Sequence, residues 1–138
     1  MKHQKLIDRI TEISEADGWS VSVEKPKDRE NILEFTFGKY TDAGQDFSFM
    51  AEMKDGDIDT LIENIDHYHE GYDPDEEAYL WLGSDGHGKN GAPHRMADVV
   101  KDMEQCETFI GELLEKLVEA NRNECLYAIE DEDEEDNE

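Results

Sequence analysis

Two runs of alternating residues constrain this chain more than anything else in it. Leu33, Phe35 and Phe37 alternate with Glu34 and Thr36, and after a short glycine-containing stretch Phe47, Phe49, Ala51 and Met53 alternate with Ser48, Met50 and Glu52. A period of two sends one set to a single face of an extended strand, so each run predicts a strand with one buried side. Parallel neighbours need a crossover of about a dozen or more residues, and the link here is too short for one. The pair is therefore expected to be antiparallel. Trp19, Val21 and Val23 alternate in the same way with Ser20, Ser22 and Glu24, and a polar turn at residues 26–29 joins this third strand to the others.

Helical spacing surrounds the strands. Leu6, Ile7, Ile10 and Ile13 predict a first helix over residues 2–17, stopped by Asp17-Gly18 because glycine tolerates the left-handed conformation of a helix end. Ile58, Leu61, Ile62, Ile65 and Tyr68 predict a second, with acids in its first turn and an end near Gly71. From Met96 to Val118 one stripe (Val99, Val100, Met103, Cys106, Ile110, Leu113, Leu114, Leu117) predicts a long helix over residues 94–121, able to coat the sheet or overhang into a second subunit. Residues 77–82 are apolar and aromatic but short, and are read as a fourth strand; residues 83–93, rich in glycine, are read as a loop. The expected fold is α+β in the order α-β-β-β-α-β-α, an antiparallel sheet covered by helices on one face. Residues 1–129 form one domain in this reading. Residues 130–138, eight of them acidic, form a tail that lacks the apolar side chains needed to offset ordering entropy.

Charge then limits function. The 138 residues hold 38 Asp and Glu against 13 Lys and Arg, a net charge of −25, and nucleic acids are held chiefly by cations on phosphates. Direct binding of DNA, RNA or an anionic membrane surface is not expected. Removing the tail still leaves a charge of −17, and between residues 41 and 88 fourteen acids stand against one cation, Lys54. Within that stretch Asp59, Glu63, Asp66 and Glu70 follow helical spacing and fall inside an arc of about 60° opposite Ile58, Leu61 and Ile65. Like charges four apart destabilise a helix by about 0.2–0.5 kcal/mol per pair. A sequence shaped only for stability would place lysines among them. The stripe can imitate part of one phosphate strand, and fuller mimicry needs Asp42, Asp46, Asp73, Asp75, Glu76 and Glu77 nearby, or a second subunit. Tyr72 and Trp81 beside it are candidate contact residues of the kind that anchor interfaces. The bland alternative is a charged, soluble structural or dimerisation module.

Chemistry-bearing motifs fall short. Gly83, Gly88 and Lys89 fit a phosphate-binding loop until Asn90, which stands where a hydroxyl should reach the metal. Asp55, Asp57 and Asp59 begin like a calcium loop, but Thr60 occupies the position that needs glycine. His67, His69, His87 and His94 lack the spacing of a zinc site and are read as solvated, as are Lys25, Lys27 and Arg29 at a hairpin end. No nucleophile is paired with a base, so no enzyme, cofactor or metal is expected. Cys106 and Cys125 are far apart and read as reduced thiols, and the first residues lack the apolar core of a secretory signal, which predicts a cytoplasmic protein.

Residues 35–49, with Phe35, Phe37, Gly38, Tyr40, Asp46, Phe47 and Phe49, and the Gly88, Gly91, Pro93 stretch ahead of the long helix resemble a family of small, acidic, uncharacterised bacterial proteins associated with mobile elements. The similarity spans about residues 33–120. It implies a bacterial accessory protein, a class that includes antirestriction and anti-CRISPR inhibitors, and it brings no catalytic residue with it. The function expected is that of a nucleic-acid mimic that occupies the basic groove of a DNA- or RNA-handling protein.

Overall fold

The computed structural model describes residues 3–42, 46–74, 76 and 96–129. Helix α1 (Gln4–Ala16) leads into strands β1 (Ser20–Glu24), β2 (Ile32–Tyr40) and β3 (Asp46–Lys54), then α2 (Ile58–Glu70), the long α3 (Met96–Glu124) and a single 3-10 turn (Leu126–Ala128). The fold is α+β. Gly18 takes φ +95° immediately after α1, as a left-handed helix stop requires. Helix α3 runs a few residues beyond its expected end. The fourth strand over 77–82, the loop over 83–93 and the tail over 130–138 lie outside the described residues.

The sheet is antiparallel in the order β1-β2-β3. Val21 faces Phe37, which faces Phe49; Val23 faces Phe35, which faces Ala51; Leu33 faces Met53. These rows line one face, and the opposite face carries Ser22, Thr36 and Met50 in one row and Glu24, Glu34 and Glu52 in the next. Among the described residues only the first face is covered by helices. Leu6, Ile7 and Ile10 of α1, Ile58, Leu61 and Ile65 of α2, and Val99, Met103, Cys106, Ile110, Leu113 and Leu117 of α3 are buried with it in one core. The stripe of α3 is thus used within the chain. Each buried phenylalanine contributes about 1.5–3 kcal/mol by leaving water.

Trp19 is the hub of this core, with ring centroids of Phe37, Phe47, Phe49 and Phe109 at 6.2, 6.2, 5.6 and 6.3 Å, all edge-on. Such geometry matches the positive edge of one ring to the negative face of another. Lys39 closes the rim: its Nζ donates to the Asp17 carbonyl at 2.6 Å and stands 4.3 Å from the Phe109 ring centre. The outer edge of β3 is capped where it leaves the sheet. Its Glu52 N–H donates to Asn64 Oδ1 at 3.1 Å and its Lys54 N–H to Thr60 Oγ1 at 2.7 Å, so side chains of α2 satisfy amides that an edge strand would leave open. Cys106 is buried and Cys125 exposed, and no disulfide joins them. Among the described residues no helix is long and apolar enough to cross a membrane.

Candidate functional site

The acidic face starts from a tight turn. Asp55 and Gly56 both take positive φ, 55° and 68°, and the Asp57 N–H donates to the Lys54 carbonyl at 3.0 Å, the geometry that an Asp-Gly pair favours in a two-residue connection. Asp57 then caps α2 by accepting from the Asp59 N–H at 3.0 Å. With Ile58, Leu61 and Ile65 fixed in the core, the helical period turns Asp59, Glu63, Asp66 and Glu70 to solvent, and all four are exposed. Eleven helical steps from Asp59 to Glu70 spread them over about 16 Å.

Helix α3 runs antiparallel beside α2, and three contacts set the register. Asn121 Nδ2 donates to Asp59 Oδ1 at 3.1 Å, the His69 ring lies against Gly111, and the Tyr72 hydroxyl meets Met103 Sδ at 3.5 Å. Asn121 also accepts from the Tyr127 N–H at 2.9 Å, which ties the 3-10 turn into the same corner. On the flank turned to α2 lie the half-buried Glu107, Gly111, Leu114, Val118 and Asn121, and just outward of them the exposed Glu104, Glu115 and Glu119. A second row, Glu104, Glu115 and Glu119 ending on the exposed cation Arg122, therefore runs beside the first. Between the rows Ile62, Leu114 and Val118 are half-buried, an apolar seam within an anionic surface. The second row was missed because only the stripe in the acid-rich middle stands out by composition; Glu104, Glu115 and Glu119 read alone as the solvated side of a core helix.

Not every candidate joins this face. Asp73 and Glu76 are exposed just beyond α2, whereas Asp75, Glu77 and Trp81 lie outside the described residues. Tyr72 is a correction: at 7% exposure it belongs to the core, edge-on to Phe47 at 6.1 Å and bonded to Met103, because the chain leaving α2 turns its ring inward. It cannot serve as a partner contact. Asp42 is exposed but bonds through its N–H to Gln105 Oε1, on the flank of α3 turned away from α2, and so does not extend the stripe.

The surroundings offer little to chemistry. A shallow recess of about 430 Å³ lies against Glu63, Asp66, His67 and Glu70. A larger one of about 840 Å³ lies at the hairpin end, where Lys27, Arg29 and Lys54 meet Asp28, Glu30 and Glu52. The Arg29 guanidinium grips both Glu52 oxygens at 2.7 and 2.9 Å and, through that hydrogen bonding, holds the Glu52 carboxyl below the usual carboxylate range. Charge there is matched within the chain. Among the described residues no group of three or more His, Cys, Asp or Glu side chains is placed to hold a metal ion. His67 is exposed and His69 packs on Gly111, while His87 and His94 lie outside the described residues.

No family model, curated protein or solved structure matches the chain.

Proposed function

We propose that this chain is a non-enzymatic, cytoplasmic binding protein whose α2–α3 face occupies the cationic groove of a nucleic-acid-handling protein, in the manner of an antirestriction or anti-CRISPR inhibitor. The observation that carries this reading is the exposure of Asp59, Glu63, Asp66 and Glu70 along one side of α2 with Glu104, Glu115 and Glu119 alongside. Four carboxylates over about 16 Å give one per roughly 5.5 Å, against one charge per about 1.7 Å of duplex. One row alone imitates a strand poorly. Two rows on adjacent helices raise the density and give it width, which favours a groove over a flat basic surface.

Attraction at a distance is not specificity. At physiological salt exposed charges act over about 8 Å, so a stable complex also needs groups that leave water together. Ile62, Leu114 and Val118 between the rows supply that apolar contact, the role that Tyr72 cannot fill.

The test is competition. The full chain is immobilised and exposed to bacterial lysate at physiological salt, and the retained proteins are challenged with duplex DNA and with single-stranded RNA. Release of a DNA- or RNA-binding protein by nucleic acid is the expected result. Retained proteins that nucleic acid does not displace, or none at all, make the chain a soluble structural module.

A further inference from the structure

The end of β2 lies along the other flank of α3 and touches it at three successive points. Lys39 covers the Phe109 ring, the Asp42 N–H donates to Gln105 Oε1 at 2.9 Å, and the buried Thr41 hydroxyl donates to the carboxylate of Asp102. Asp102 is 5% exposed, and its Oδ2 has no hydrogen-bond partner among the described residues. Among the described residues the charged and titratable groups on the neighbouring elements do not neutralise it. Asp42 is a like charge, Lys39 is committed to the Asp17 carbonyl, Tyr72 bonds to Met103, Asp73 and Lys101 are exposed, and Cys106 is a thiol one turn along α3. An ionised carboxylate in such a place has lost water and received one hydrogen bond in return, a poorer state than the neutral acid.

We propose that this junction is a proton-dependent clasp: Asp102 holds α3 on the end of β2 as a neutral carboxylic acid, and its ionisation loosens the contacts at Thr41 and Asp42. Burial drives its ionisation above the ordinary aspartate range, the Thr41 hydrogen bond opposes this, and repulsion from Asp42 adds to it. The folded chain thus binds this proton more tightly than the unfolded chain. The stabilisation is present below the ordinary aspartate range and is lost as pH rises through the raised value, opposite to the usual behaviour of a surface carboxylate. The clasp lies across α3 from the acidic face, so it can fail without the binding proposal failing.

Amide hydrogen exchange at Asp42, corrected for the intrinsic rate, reads the clasp in the full chain. Protection is expected to fall about tenfold between about pH 4 and pH 8 in the wild type and to stay level in Asp102→Asn, which keeps an acceptor for Thr41 and cannot ionise. The same variant is expected to melt several degrees above the wild type at the higher pH and with it at the lower. Equal pH slopes in the two proteins overturn the proposal. Should Asp102→Asn fail to fold, the carboxyl carbon resonance of Asp102 in the wild type decides: titration above the ordinary aspartate range supports the clasp, and titration within or below that range overturns it.

Discussion

Gly56 has two reasons to be glycine. Its φ of +68° is one that side chains with a Cβ resist, and a methyl group there would overlap the His3 imidazole. Gly56→Ala is therefore expected to lower stability by about 1–2 kcal/mol in urea denaturation, and adding His3→Ala should recover the overlap but not the backbone cost. Phe37, fully buried between Phe35, Phe49 and Trp19, is the costlier loss: Phe37→Ala should remove about 3–5 kcal/mol. The inward face of Phe37 and the stop at Gly18 were legible in the sequence, since alternation and glycine chemistry act locally. The inward turn of Tyr72 was not. Its partners, Phe47 and Met103, lie far along the chain, and no local pattern announces such a contact.

At the scale of elements, periodicity located α1, α2, α3 and all three described strands because each must bury one side. It left open which helix flanks meet. The second carboxylate row follows from the antiparallel register of α2 on α3, fixed by Asp59–Asn121 and His69–Gly111, pairs that are neighbours only in the folded chain. The charges within α2 have separable effects on stability. Asp59, in the first turn, favours the helix dipole, whereas Glu70, in the last, opposes it. Glu70→Gln is therefore expected to stabilise the protein by about 0.3–1 kcal/mol, and Asp59→Asn to leave stability unchanged or slightly lower. Thermal melts of the two single variants check this difference in sign. The edge caps give a second expectation: Thr60→Val frees the Lys54 amide and should cost about 1 kcal/mol.

Over the whole molecule, a net charge of −25 repels itself, and among the described residues two Arg–carboxylate pairs fasten distant parts against it. Arg29 joins the β1–β2 hairpin to Glu52, and Arg9 of α1 joins Glu124 at the end of α3 at 2.7 and 2.8 Å. Both glutamates are held below the usual range by these hydrogen bonds. Their contribution is present above the ordinary glutamate range and lost as pH falls through the lowered folded values. The melting difference between the wild type and Arg29→Ala should accordingly be constant near neutral pH and close in acid. Added monovalent salt should raise the melting temperature of the wild type by screening the general repulsion.

The claim that matters most is that the carboxylates of α2 form a working surface rather than a solvating coat. Association rates with the protein released by nucleic acid, measured at physiological salt for the wild type, the Asp59→Asn, Glu63→Gln, Asp66→Asn, Glu70→Gln variant and a chain ending at residue 129, test it most directly. The account predicts that the fourfold variant associates about tenfold or more slowly while the shortened chain stays close to the wild type, because charges fixed on a helix steer a partner more than charges on a tail. Undiminished association of the fourfold variant would contradict it.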